Sequence, residues 1–247
     1  MADSVHAGVA GGIGRSRARS LSFWQKLALG IAALAIFGFG QFAARGFVDI
    51  PRVPYWVHVH AIVMLSWLGL LVVQPWLAER GGLALHRRLG WFAVGLAVIL
   101  LCLATTAALM AMILGRIPPV QTPGYFLAMN MTSLAAFALL FGAAIWKRRN
   151  MQAHQRLVMA ATVMVIDPGI ARALPFQLLG PWNEIGVMIV QLAILGIVLR
   201  HDCRTLGRAH GATLASMLVI AGAHGLIEGL GRMPSILALG TAIAGTR

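Results

Sequence analysis

Apolar residues run along this chain in blocks of about twenty, and each block is closed by a short cluster of arginine, lysine, histidine or proline. A helix of about 20 residues spans ~30 Å of hydrocarbon. Seven blocks approach that length: roughly 25–43, 58–78, 88–113, 124–146, 153–176, 184–200 and 210–231. The pattern predicts an all-α, polytopic membrane bundle of seven transmembrane helices within 23–233. Residues 1–22 are rich in glycine, alanine, serine and arginine without an apolar period, and read as a disordered basic cytoplasmic tail. Pro234–Arg247 is too short to cross again and reads as a short segment on the outer side. The first block follows Arg15, Arg17, Arg19 and Lys26, as the core of a signal peptide would. Its long basic region and the lack of an A-x-A site before Arg45 favour a retained anchor.

Composition agrees. Of 247 residues 59% are hydrophobic and 11% charged, too few polar groups to cover a water-facing surface. The net charge of +13 comes from 20 basic and 7 acidic residues. Nucleic-acid binding would need those cations on one soluble face, but they lie in short runs between apolar blocks, as in loops held at an anionic lipid surface. With the N-terminus inside, the cytoplasmic side collects Arg15, Arg17, Arg19, Lys26, Arg80, Arg87, Arg88, Lys147, Arg148, Arg149, Arg156, Arg200, Arg204 and Arg208. The other side keeps Arg45, Arg52, Arg116, Arg172, Arg232 and Arg247. Fourteen against six sets the expected topology: N-terminus inside, C-terminus outside, in the inner membrane of a bacterial cell. Cys102 and Cys203 suggest no disulfide framework, and without CxxCH covalent c-type haem attachment is excluded.

Three stretches repeat one plan: "YWVHVHAIVMLSW" leads through Arg80 to "LHRRLGWFA", "YFLAMNMTS" through "KRRN" to "AHQRLVMAA", and "PWNEIGV" through "RHDCR" to "RAHGATLAS". Tyr55, Tyr125 and Trp182 fall where amphipathic rings favour the outer interface. His86, His154 and His210 open the ascending helices. Each reads as a polar residue near headgroups; together they read as a second site at the cytoplasmic mouth, neutral imidazole at a helix start being the metal-binding form.

Polar residues also lie deep within the apolar blocks: His60, Asn130, Asp167 with Arg172, and His224 with Glu228. A charged group at that depth costs roughly 2.5–3.5 kcal/mol on insertion scales, so such residues face a protein interior and have partners. "MVIDPGIARALP" breaks the fifth block, with Asp167 in the character of an N-cap and Pro168 of a first helical residue. A broken helix beside an acid builds a binding site in some membrane proteins; a plain proline kink with Asp167 satisfied by its cap and Arg172 is the bland alternative. His224 and Glu228 share a helix face at i,i+4, which suits a carboxylate that orients an imidazole or a pair that ligates a metal. Gly225 and Gly229 form GxxxG, which permits close approach of a neighbouring backbone. Trp67 and the methionine stripes read as lipid-facing or packing surface. No P-loop, GxSxG or HExxH is present.

His210 and His224 are fourteen residues apart, ~21 Å along a helix and within about 40° of one face. The spacing resembles the H-x13-H arrangement of membrane b-type dihaem cytochromes. The second block answers with His60 and Gln74, so an inner haem would take His86 or His154 and a single outer haem between His60 and His224 is the simpler form. "HAIVMLSW", "LHRRLG" and "HQRLVMAA" are similar to stretches in a broad group of uncharacterised multi-pass bacterial membrane proteins, from about Pro54 to Arg172. That resemblance implies the seven-helix architecture and a role for His60, Gln74, His86 and His154.

The expectation is therefore a multi-pass protein of the lipid bilayer with a histidine-lined interior that binds b-type haem or a redox transition metal. His60 and His224 are the expected ligands, with Glu228 as a further metal ligand or as the group orienting His224. Asp167, Arg172, Asn130 and Gln74 would line the polar region, where a quinone or a membrane redox partner makes contact. Two other classes fit the same residues: a proton-coupled small-molecule transporter gated at Asp167, and a non-catalytic assembly or accessory subunit.

Overall fold

Helix starts follow local capping chemistry. Ser22 Oγ accepts from the Gln25 N–H while the Gln25 side chain accepts from the Ser22 N–H, closing a capping box. Thr122 Oγ1 accepts from Tyr125 N at 3.2 Å, and Asn150 Oδ1 from Ala153 N at 3.1 Å. The computed structural model describes residues 20–246, so most of the basic tail read at 1–22 and the terminal Arg247 lie outside the described residues. The helices are α1 (Phe23–Ala44), α2 (Tyr55–Glu79), α3 (Leu83–Ile113), α4 (Pro123–Trp146), α5 (Met151–Val165), α6 (Asp167–Ala173), α7 (Phe176–Leu179), α8 (Asn183–Leu206), α9 (Gly211–Leu230) and α10 (Pro234–Ala244).

Among the described residues six helices, α1, α2, α3, α4, α8 and α9, are long and apolar enough to cross a membrane. The protein is a multi-pass helical membrane bundle. Large apolar side chains such as Ile62, Leu139 and Leu218 lie open on the outside of these spans, where lipid covers them.

The seventh expected span is the correction. Block 153–176 does not form one helix but α5, 15 residues long, and α6, 7 residues long, separated at Ile166. At 1.5 Å per residue α5 reaches about 22 Å, short of the ~30 Å needed. Proline 168 has no N–H to continue the helical ladder, which explains the break. The segment is also not a lipid-facing element. Every residue from Met159 to Asp167 is buried, on all sides of the helix, and α5 packs on α4, α9, α8 and α1. The small Ala160, Ala161 and Thr162 let those neighbours come close. Trp67 is packing surface: it lies edge-on against Phe137 and Phe141, and its Nε1 donates to Thr162 Oγ1 at 3.2 Å.

Glycine contacts fall elsewhere than the GxxxG pattern suggested. Nothing lies within 4 Å of where a Cβ would sit on Gly225 or Gly229. The close approaches are Gly38 of α1 against the Gly169 backbone of α6, and Gly124 of α4 against Gly240 of α10. The C-terminal segment is thus a helix laid across the start of α4 and against α3. Tyr55 and Trp182 are exposed at helix starts, whereas the Tyr125 hydroxyl turns to Glu228.

Gly38→Ala drives a methyl group into the Gly169 backbone, where no flexible side chain can yield. It should lower stability by about 1–3 kcal/mol, the usual cost of overpacking. Gly40→Ala, on the same helix with open space around it, should not. Thermal unfolding of the detergent-purified variants reads the difference.

Candidate functional site

The break between α5 and α6 leaves a backbone group to satisfy. Ile166 N–H still donates to Thr162 O at 3.0 Å, but the Val163 carbonyl, next in the ladder, instead accepts from Gln191 Nε2 of α8 at 3.1 Å. A carbonyl only accepts, so Gln191 must present its NH2 to Val163 and its oxygen to the other side. There Gln191 Oε1 lies 2.9 Å from His224 Nε2 of α9. The histidine therefore donates from Nε2. Its other nitrogen, Nδ1, lies 2.8 Å from Glu184 Oε1. An imidazolium at this position would face the carboxylate as an ion pair. The contact is not aligned as a hydrogen bond; it is a close ion-pair approach.

Asp167 completes the group. Its Oδ2 accepts from Ser133 Oγ of α4 at 3.0 Å, and it lies within electrostatic reach of Glu184 and His224. Asp167, Glu184, Gln191 and His224 are all buried. Two carboxylates thus attend one imidazole, on α6, α8 and α9. A cleft of about 210 Å³ opens between α8 and α9, with Glu184, His224 and Glu228 among Ile185, Met188, Ala221 and Gly225.

Several expected roles shift. Glu184, not Glu228, is the carboxylate on His224. Glu228 accepts from the Tyr125 hydroxyl at 2.6 Å and pairs with Arg232 one turn on. Asp167 starts α6 without capping it, because its side chain is taken by Ser133. Arg172 is not its partner: the guanidinium donates to Pro168 O at 2.8 Å and lies over Phe39 and Phe42. Asn130 donates to Phe126 O within its own helix.

The expected ligand histidines are spread out. His60 is on α2, which rests chiefly on α3 and α1, while α9 rests chiefly on α4, α8 and α5. The buried His60 Nδ1 has no hydrogen-bond partner, and both ring nitrogens of His224 face Gln191 and Glu184. His86 lies near His154, whose Nδ1 donates to Ala144 O at 2.9 Å, and Gln74 Nε2 donates to His86 O at 3.3 Å. Among the described residues no three His, Cys, Asp or Glu side chains gather as a metal-ligand set.

His210 belongs to a second buried group at the arginine-rich end. Arg156 of α5 pairs with Asp202 of α8, both almost fully buried. Asp202 Oδ2 also accepts from Thr213 Oγ1 at 2.6 Å and from His210 N at 3.4 Å. The Arg156 guanidinium donates to Gln152 O at 2.7 Å and lies 5.2 Å from the Trp24 ring centre. Glu184, Gln191 and Asp202, absent from the sequence expectations, lie on the buried stripe 184, 187, 191, 195, 198, 202 of α8. Polar residues recurring on one helical face were the available signal. Ser133, one turn beyond Asn130, and Arg156, counted only as a loop cation, carried none.

No protein-family model, curated protein or solved structure matches the chain.

Two outcomes follow from this wiring. Gln191→Leu leaves the Val163 carbonyl and His224 Nε2 unpaired, at about 1–3 kcal/mol for each buried group. Thermal stability should fall, and the His224 tautomer signal in nitrogen NMR should change. His210 caps α9 by accepting at Nδ1 from Ala212 N at 3.1 Å, which requires that nitrogen unprotonated. Burial, then the Arg156 charge, hold His210 below its ordinary value of 6.5, with Asp202 opposing. A lowered value in the folded state means the cap is intact above 6.5 and lost as pH falls below it. Amide-exchange protection of the first turn of α9 should fall with pH over that range, and His210→Asn, which caps without titrating, should remove the dependence.

Proposed function

We propose that this membrane protein is a proton-coupled carrier of a small molecule, with Asp167, Glu184 and His224 as its proton-binding group. The observation that carries the reading is the 2.8 Å approach of His224 Nδ1 to Glu184 Oε1 in a buried position. Gln191 fixes one side of the ring through a backbone carbonyl, so the other nitrogen is the one left to take up or release a proton beside Glu184. Three further features support it. The group lies beside a broken helix, an arrangement used for binding sites in membrane carriers. Asp167 adds a second carboxylate, and among the described residues no Lys, Arg or His side chain is in ion-pair contact with it. A cleft reaches Glu184 and His224 from the α8–α9 side. Ionisable groups placed this way inside a membrane mark substrate and proton pathways.

The redox reading asks more of the same residues. A haem or metal at His224 would require the ring to leave Gln191 or Glu184.

Liposomes loaded with a pH-sensitive dye and carrying the purified protein test the proposal. Under an imposed proton gradient, wild-type vesicles should transfer protons faster than empty ones. Asp167→Asn and Glu184→Gln should each cut the rate by about tenfold or more, equivalent to about 1.4 kcal/mol or above, with folding retained by circular dichroism. Equal rates for wild type and both variants would remove the proposal. The same preparation should show no Soret band.

A further inference from the structure

Which molecule would such a carrier take? The cleft answers through its charge and its walls, on the premise that the proton-binding reading above holds. Glu184, His224 and Glu228 are its ionisable lining residues. The cations within reach are already committed: His224 to Glu184 and Arg232 to Glu228. Asp167, buried and within electrostatic reach of Glu184, is a further carboxylate. When Asp167 is ionised the region is short of one positive charge, and an unbalanced charge in a low-dielectric interior is costly. A proton or a monovalent cation restores the balance, so the two compete for one place.

The remaining walls select between cations. Ile185, Met188, Ala221 and Gly225 are apolar. A bare metal ion would ask for six or more oxygen ligands, whereas an ammonium needs a few acceptors and can lay an apolar body on the other walls. Methionine suits such a body because its thioether is flexible and packs well against aromatic rings. An anion would meet two carboxylates. At about 210 Å³ the cleft is below the range of drug-sized sites, so the body is small. Gly225 leaves the room: nothing lies within 4 Å of where its Cβ would be.

We infer that the α8–α9 cleft binds a small apolar organic ammonium ion, its N–H groups donating to Glu184 and Glu228, and that it does so in exchange for one proton. The balance is simple: the cation enters, one proton leaves, and the charge of the site is unchanged.

The test uses the full chain in detergent with 2-phenylethylammonium as probe, followed by titration calorimetry in buffers of different ionisation enthalpy. Saturable binding with release of about one proton is expected, weakened about tenfold or more in Glu184→Gln by loss of a charge-assisted bond. Gly225→Leu fills the cleft without touching a carboxylate and should abolish binding, which covers the case that Glu184→Gln fails to fold. The neutral 2-phenylethanol, phenylacetate and sodium ion should not bind there. The substrate class is overturned if any of these three binds as well as the ammonium, if the ammonium does not bind, or if Gly225→Leu leaves its binding unchanged. Proton transfer in the liposome assay without ammonium binding would sink this inference alone; ammonium binding without proton release would sink the proton coupling instead.

Discussion

A single backbone carbonyl, that of Val163, organises the centre of this protein. The ladder of α5 ends at Ile166, and the Val163 carbonyl, whose helical donor would be the Asp167 N–H, needs another partner inside the bundle. Gln191 satisfies it, and that one bond fixes which way the amide points. The amide direction then fixes that His224 donates from Nε2, which turns Nδ1 toward Glu184. A local defect in helix geometry is thereby carried, over two hydrogen bonds, to a buried imidazole facing a carboxylate.

Two buried ionic groups share α8 and α9, and they differ in balance. At the arginine-rich end Arg156 and Asp202 match one to one, and Thr213, the His210 N–H and the Gln152 carbonyl add further hydrogen bonds to the pair. Removing either charge would strand the other, which is why such a pair holds α5 and α8 in register. The group around His224 has two carboxylates for one imidazole and a contact that is close but not aligned. Full pairing favours a fixed structure; incomplete pairing leaves a vacancy for a mobile charge. The first reads as architecture and the second as chemistry.

The shape of the bundle follows from what lipid and protein interior share. α5 is buried on every side, while α2 and α9 turn large apolar residues outward. Both kinds of helix are rich in the same side chains, because hydrocarbon and a packed core make equal demands on them. Small residues mark the closest crossings: glycines at Gly38–Gly169 and Gly124–Gly240, where backbones meet.

Hydropathy and residue spacing were enough for the membrane class, for most helix limits to within a few residues and for the break at Asp167–Pro168. These are properties of one segment at a time, set by transfer energy and by proline's missing N–H. Pairing is not such a property. Asp167 joins Ser133 rather than Arg172, His224 joins Glu184 rather than Glu228, and the fifth block becomes the core rather than a seventh full-length span. Each of those outcomes depends on which helices lie side by side and at what rotation. Periodicity says that a face is buried, and apolar composition looks the same against lipid as against protein, so neither can name the neighbour.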